Sequence, residues 1–315
     1  MKLGFLFAGQ GAQYVGMGRD LYESEPDFRA RFDRAAAVTG LDLAALCFDG
    51  PEETLAQTRY TQPCMVAVET GIAALLERRG IRPQAVAGLS LGEYAALCCA
   101  GAFDSDEAVQ LATFRGEAME KAVAGRPSGM AVVLGLDRDT LAAACADAAD
   151  KSGGVVEIAN YNCPGQMAIA GDAAAVEAAC IAARQAGAKR CLPLKVSGPF
   201  HTSLMAPAGD ALCERFKQTV FAPLRCTVYF NCLGGPDEAG VGVPALLVRQ
   251  VQTSVYMEDI IHRMAADGVD HILEIGPGKI LAGLVRKTEK GIAVRSVGTA
   301  QELAEAVDWL KGEAI

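Results

Sequence analysis

The segment Gly88-Leu89-Ser90-Leu91-Gly92 places a serine between two glycines, after a short apolar run and before a helical pattern. A nucleophilic serine needs a sharp strand-to-helix turn that lifts its hydroxyl clear of the sheet, and glycines permit the tight backbone of that turn. In such a turn the N–H of Leu91 would point to where an oxyanion forms, because it lies at the start of the helix. The segment therefore predicts a serine nucleophile at Ser90.

A serine nucleophile needs a base, and the chain has three histidines. His262 lies in a helical stretch, where we expect it at the surface, and His271 begins an apolar strand, where a structural role is expected. His201 follows Gly198-Pro199-Phe200 in a loop before a predicted helix, so it can reach across a cleft. We therefore expect His201 to be the base. Many acidic residues could complete a triad, and the sequence does not choose among them.

Two glycine-rich loops resemble phosphate-binding motifs, but each lacks residues that its motif requires. Gly9-Gln10-Gly11-Ala12-Gln13 has Tyr14 where a dinucleotide loop needs its third glycine. Gly276-Pro277-Gly278-Lys279 lacks both the first glycine and the final Ser/Thr of a Walker loop, since Leu273 and Ile280 stand there. A loop after the first strand can instead supply a second oxyanion donor to a serine enzyme. From the residues alone, a plain turn is the favoured interpretation of this first loop.

The elements around these residues alternate between strand and helix. This βαβα order predicts an α/β core with a parallel sheet. The segments are apolar runs at residues 3–7 and 85–87, helical patterns at 63–76 and 93–99, and a helix that starts at Asp104-x-x-Glu107 and runs to 123.

The order changes between residues 127 and 196, where the pattern reads βαββαβ. This is the order of a ferredoxin-like α+β unit. We therefore predict an α/β core formed by residues 1–126 and 197–315, interrupted by a small inserted subdomain at 127–196. The predicted segments of the insert are strands at 130–136, 155–161, 166–170 and 189–194 and helices at 139–149 and 173–186.

Composition narrows the functional classes. The chain has 315 residues, 51% of them hydrophobic and 21% charged, as expected of a globular protein. Its net charge of −9 argues against nucleic acid or an anionic membrane as the main partner. No apolar run approaches the roughly 18 residues of a membrane span, and the start resembles a strand more than a signal peptide. The eleven cysteines show no Cys-x-x-Cys spacing, which favours reduced thiols in the cytoplasm over zinc or disulfides.

Taken together, these segments resemble the malonyl-CoA:acyl carrier protein transacylases and the acyltransferase domains of polyketide synthases. The resemblance covers nearly the whole chain and implies an α/β-hydrolase-like core with a ferredoxin-like insert. Leu89 departs from the pattern, because many relatives have histidine before the nucleophile. The matching stretches, in family order, are residues 7–13, 88–94, 115–119, 159–166, 198–205 and 274–279.

The resemblance implies a role for each matched residue at the reaction centre. Ser90 would be the nucleophile and His201 its base. Gln10 and Leu91 would supply backbone amides to an oxyanion hole. Arg115 lies within a predicted helix, where composition alone does not distinguish it from a surface arginine. The resemblance makes it the partner of the malonyl carboxylate, a task that suits a planar guanidinium.

Further residues are assigned by the same resemblance. Three polar residues near the insert, Asn160, Asn162 and Gln166, would line the substrate cleft. Phe200 would crowd an α-methyl branch and so favour malonyl over methylmalonyl groups, a preference of about 1–3 kcal/mol. In this family a backbone carbonyl orients the histidine, and the loosely matching segment 254–257 gives that carbonyl to Tyr256.

The expected activity is transfer of a malonyl group from malonyl-CoA to the phosphopantetheine thiol of acyl carrier protein, for fatty acid synthesis. No metal or bound cofactor is needed, because coenzyme A comes with the substrate and phosphopantetheine with the partner. We expect a cytoplasmic monomer that binds neither nucleic acid nor membrane. The alternatives are a serine hydrolase or thioesterase, a non-catalytic carrier-binding module, and an acyltransferase for another acyl group in polyketide synthesis.

Overall fold

A computed structural model of the chain describes residues 1–194 and 198–313. The strands in this part are β1 (Leu3–Phe7), β2 (Ala85–Gly88), β3 (Ser128–Leu134), β4 (Val156–Cys163), β5 (Gln166–Asp172), β6 (Arg190–Pro193), β7 (Thr227–Val228), β8 (Val255–Tyr256), β9 (His271–Ile275) and β10 (Ala293–Val297). The α-helices are α1 (Arg19–Ser24), α2 (Pro26–Thr39), α3 (Glu52–Leu55), α4 (Thr58–Arg78), α5 (Gly92–Cys99), α6 (Ser105–Ala122), α7 (Arg138–Ser152), α8 (Ala173–Gln185), α9 (Ala206–Phe216), α10 (Val243–Val251), α11 (Met257–Ala266), α12 (Ile280–Thr288) and α13 (Ala300–Glu313). A π-helical segment (Ala45–Asp49) and a 3₁₀ turn (Ser203–Met205) complete the helical elements.

The core is built on a five-stranded parallel sheet with the order β10-β9-β1-β2-β7. β1 is buried along its whole length, as expected of a parallel strand covered by helices on both faces. Phe7 lies opposite Gly88 on β2 and Ile275 on β9. The loops that follow these three strands therefore leave the sheet at the same edge, its carboxyl end, where open α/β sheets bind ligands.

The second sheet confirms the predicted ferredoxin-like insert. Its elements run β3-α7-β4-β5-α8-β6, and its strand order is β6-β3-β5-β4-β8. The first four strands pair antiparallel, whereas β8, from the C-terminal part of the core, adds to β4 in parallel. The β8 strand thus ties the insert to the core. The domain boundary predicted at 196/197 lies outside the described residues.

Local sequence signals account for several helix ends. Asp104 accepts a hydrogen bond from the N–H of Glu107 at 2.9 Å and caps α6, as its spacing predicts. Asp137 caps α7 in the same way, through the N–H of Thr140 at 2.8 Å. The helix predicted from residue 63 begins earlier, at Thr58, and Pro63 lies inside it.

None of the helices in the described residues is both long and apolar enough to cross a membrane.

Candidate active site

Ser90 lies in the turn between β2 and α5, with a φ of 53° in the left-handed region. A residue with a side chain rarely adopts this conformation outside functional turns. A Cβ added to Gly88 would lie 2.0 Å from the carbonyl carbon of Gly92, and a Cβ on Gly92 would lie 2.3 Å from the carbonyl oxygen of Phe7. The turn therefore requires both glycines, which explains the spacing of the motif.

The structure brings Ser90 and His201 together across 111 positions of sequence, with 2.7 Å between Oγ and Nε2. Nδ1 of the imidazole lies 2.9 Å from the carbonyl oxygen of Gln250. Since a carbonyl can only accept, Nδ1 carries the proton and Nε2 accepts from the serine hydroxyl. Burial, and secondarily the charge of Arg115, lower the pKa of His201 to about 4. The imidazole is thus neutral at pH 7, the state that a general base needs.

The predicted source of the orienting carbonyl, Tyr256, is wrong: that carbonyl belongs to Gln250. Gln250 lies in the last turn of α10, where carbonyl groups have no intrahelical partner and remain available to other donors. Tyr256 lies on β8 instead. Its ring stacks on Tyr161 with centroids 5.0 Å apart, and its N–H donates to the carbonyl of Asn231 at 2.9 Å.

Arg115 projects from α6 to the nucleophile and is only 1% exposed. Its Nη2 donates to Oγ of Ser90 at 2.9 Å and to Oε1 of Gln250 at 3.1 Å. The guanidinium carbon lies 5.6 Å from the centre of the Tyr94 ring. Burial lowers the pKa of Arg115, and the neighbouring Tyr94 and Glu93 offset part of that shift. No carboxylate of the described residues forms a salt bridge with Arg115, so its charge is available to a ligand.

The two predicted oxyanion donors lie on neighbouring loops. Gln10 follows β1, and Leu91 precedes the first residue of α5. Within the described part of the chain, neither backbone N–H has a hydrogen-bond partner. The Gln10 side chain is fixed separately, because Nε2 donates to Oγ1 of Thr58 at 3.0 Å. Both amides can therefore donate to a substrate oxygen at the carboxyl edge of the sheet.

The predicted cleft residues are less closely tied to the nucleophile. Asn160 and Asn162 lie on β4, where Asn160 is paired with β8. Gln166 begins β5 and accepts a hydrogen bond from Nζ of Lys287 at 3.2 Å. Phe200 precedes the histidine and is buried in the main core. In the described residues, no hydrogen bond joins these four to the serine, histidine or arginine, and their roles stay predictions.

Gln250 is a site residue that sequence reasoning missed. Besides accepting from the histidine and the arginine, it donates from Nε2 to the carbonyl oxygen of Ser90 at 2.7 Å. It is fully buried. A glutamine on the apolar face of an amphipathic helix, Val243–Val251, was the available signal, although it names no partner. Sequence reasoning also missed two more buried residues: Asn231 accepts from the N–H of Ser90, and Glu93 accepts from the N–H of Asn231.

The other two histidines lie away from the serine: His262 is at the surface of α11, as predicted, and His271 lies on β9, where a structural role is expected. His262 is half exposed and lies 2.6 Å from Oε1 of Glu289 through its Nδ1. His271 lies 2.8 Å from Oδ1 of Asp270, and its ring lies 5.2 Å from that of Trp309. Neither reaches the serine.

A histidine beside a serine on a strand–turn–helix motif, with two backbone amides nearby that have no partner among the described residues, defines an enzyme of the serine acyl-transfer class. The sequence model of a protein family, the acyl transferase domain, matches residues 4–308 of the chain. The chain belongs to this acyltransferase family.

Relatives of the chain are similar over its whole length. It is 38% identical to "Malonyl CoA-acyl carrier protein transacylase" of Bacillus subtilis, in an alignment of 312 residues that covers 99% of this chain and 98% of the relative. The namesake of Escherichia coli K12 is 39% identical over 308 residues, 98% of this chain and 99% of the relative. The crystal structure of the Clostridium perfringens transacylase superposes with a TM-score of 0.95 at 36% identity, over 100% of this chain and 98% of the other. A malonyl-transacylase in complex with a type II PKS acyl-carrier protein has a TM-score of 0.94 at 37% identity, over 98% and 99% of the two chains. These matches confirm the predicted family and fold.

Proposed function

We propose that the protein transfers a malonyl group from malonyl-CoA to the phosphopantetheine thiol of acyl carrier protein. The observation that carries the proposal is the buried guanidinium of Arg115, 2.9 Å from Oγ of Ser90. A cation beside the nucleophile suits an acyl group that ends in a carboxylate, as malonyl does, and a general esterase has no use for it. The names of the relatives, and the carrier protein bound to one of them, support the same substrate and partner.

In the proposed first half-reaction, Ser90 Oγ attacks the thioester carbonyl while His201 Nε2 takes its proton. The N–H groups of Gln10 and Leu91 stabilise the oxyanion of the tetrahedral intermediate. The C–S bond then breaks, and the coenzyme A thiolate leaves with the proton from the histidine. Arg115 holds the free carboxylate of the resulting malonyl-serine ester.

In the second half-reaction, the phosphopantetheine thiol attacks this ester, and its proton passes to Nε2 of His201. The C–O bond breaks, and Ser90 regains its proton as the malonyl thioester of the carrier departs. This is ping-pong acyl transfer, and the scheme requires no metal and no bound cofactor. We propose that Asn160, Asn162, Gln166 and Phe200 line the cleft that admits the two thioesters.

The test is to incubate the protein with malonyl-CoA and holo-acyl carrier protein and to follow malonyl-carrier and free malonate together. We expect malonyl-carrier to accumulate, and Ser90→Ala to abolish its formation. Release of free malonate at the same rate with and without carrier would instead identify a hydrolase. A malonyl adduct that persists in Ser90→Ala would contradict the assignment of the nucleophile.

A further inference from the structure

The side chain of Asn231 bridges the backbone on both sides of the nucleophile turn. Its Oδ1 accepts from the N–H of Ser90 at 2.6 Å, and its Nδ2 donates to the carbonyl of Gly88 at 2.7 Å. Main-chain pairing of this segment with β2 ends at the bond from Tyr229 N–H to the carbonyl of Val86, 2.9 Å long. The asparagine amide therefore continues the ladder between β7 and β2 by two further hydrogen bonds, beyond the end of the strand.

Asn231 is itself held by two other elements. Its N–H donates to Oε2 of Glu93 on α5 at 2.7 Å, and its carbonyl accepts from Tyr256 N–H on β8 at 2.9 Å. Both Asn231 and Glu93 are fully buried. Oε1 of Glu93 has no hydrogen-bond partner in the described structure, and burial raises the pKa of the carboxyl to about 8. The carboxyl can thus remain largely neutral at pH 7 while Oε2 accepts from Asn231.

Ser90 is consequently fixed through both of its backbone polar groups. Asn231 holds the N–H, and Nε2 of Gln250 holds the carbonyl oxygen at 2.7 Å. The left-handed φ of 53° is costly for a residue with a side chain and persists only where surrounding contacts enforce it. The bonds to the two amide side chains are such contacts. They leave the serine hydroxyl available to the histidine.

We propose that Asn231 is a positioning residue for the nucleophilic step. Its amide, fixed by Glu93 and Tyr256, holds Ser90 in the conformation that places Oγ 2.7 Å from Nε2 of His201. The inference rests on the proposed function only in taking Ser90 as the nucleophile, and it holds for any acyl group. Asn231 touches no reacting atom, so its loss should slow attack without weakening the binding of the acyl donor.

The experiment compares two substitutions at this position with a matched control. Asn231→Leu keeps the size of the side chain and removes both bonds to the turn. Asn231→Asp keeps the acceptor for Ser90 N–H and removes the donor to Gly88. The control is Tyr229→Phe, two residues away, which loses only the bond from its hydroxyl to Oδ2 of Asp267, 2.7 Å long.

Two rates are measured for each protein: labelling of Ser90 by a fluorophosphonate, and malonylation by malonyl-CoA in a single turnover. We expect both rates to fall by about 10- to 100-fold in Asn231→Leu and by about 5- to 10-fold in Asn231→Asp. The malonyl-CoA concentration that half-saturates the single-turnover rate should stay unchanged. Tyr229→Phe should retain the wild-type rates, whatever its melting temperature.

Labelling of Asn231→Leu at the wild-type rate would overturn the inference, as would an equal loss of rate in Tyr229→Phe. If Asn231→Leu is not recovered folded, Asn231→Asp decides, and a wild-type rate in that variant overturns the inference. A wild-type protein that neither labels nor malonylates would contradict the proposed function itself, which separates the two failures.

Discussion

Replacing Arg115 by glutamine should reduce malonyl transfer far more than acetyl transfer. The guanidinium is 1% exposed, and no carboxylate of the described residues neutralises it, so the carboxylate of the substrate would form a desolvated, charge-assisted pair with it. Truncating one partner of such a pair costs about 2–5 kcal/mol. At about 1.4 kcal/mol per tenfold, kcat/KM for malonyl-CoA should fall by about 30- to 4,000-fold.

The assay measures kcat/KM with malonyl-CoA and with acetyl-CoA, for the wild-type protein and for Arg115→Gln. Because Arg115 also donates to Oγ of Ser90, acetyl transfer should fall modestly, and the ratio of the two substrates carries the test. Arg82→Gln is the control, since that side chain is 73% exposed and, among the described residues, forms a salt bridge with Glu77 alone. Equal losses with both substrates would refute the argument, because they would mean that Arg115 acts on the serine and not on the malonyl carboxylate.

Three further predictions concern the turn and its buried neighbours. Gly92→Ala should lower the free energy of unfolding by more than about 2 kcal/mol in urea melts, because its Cβ would meet the Phe7 carbonyl at 2.3 Å. Gly283→Ala is the control and should not lower the free energy of unfolding, because a Cβ at Gly283 has open space around it. Equal losses of stability in the two variants would contradict this account. In the pH profile of kcat/KM, activity should be lost on the acidic side near pH 4, where His201 gains a proton. Loss of activity near pH 6.5 would show that burial does not lower the pKa of His201. Since the pKa of Glu93 is raised to about 8, the folded state holds its proton more tightly and loses stability as pH rises from about 4.5 to 8. Glutamine has no such proton to lose, so the melting temperature of Glu93→Gln should rise relative to that of the wild type as pH increases from about 4.5 to 8. A constant difference between the two melting temperatures over this pH range would contradict the raised pKa.

Elements with strong local signals could be predicted from the sequence. The buried run at residues 3–7 and the cap at Asp104 have the predicted bounds and contacts, since each depends on a few neighbouring residues. The βαββαβ order of the insert is likewise a pattern of local periodicities. The strands β7 and β8 have two residues each, too few to show a period. Their places in the sheets depend on tertiary packing, which the sequence pattern does not reveal.

The residues of the candidate site likewise fall into those that the sequence predicts and those that depend on tertiary packing. Ser90 could be predicted because its two glycines lie two positions away on either side, and His201 because the chain offers only three histidines. Asn231 lies 141 positions from Ser90, and its amide contacts exist only once β7 pairs with β2. The sequence does not identify the orienting carbonyl, and Tyr256 is the wrong residue, because every residue has a carbonyl. Only the end of α10 determines that the one on Gln250 is available.

The central claim is that a malonyl group passes through Ser90 on its way to the carrier protein. Intact-protein mass spectrometry after mixing with malonyl-CoA, followed by peptide mapping, tests it most directly. The account predicts one malonyl adduct on the peptide that contains Ser90, which disappears as malonyl-carrier appears when holo-acyl carrier protein is added. An adduct on another residue, or one that decays to free malonate whether or not carrier is present, would contradict it.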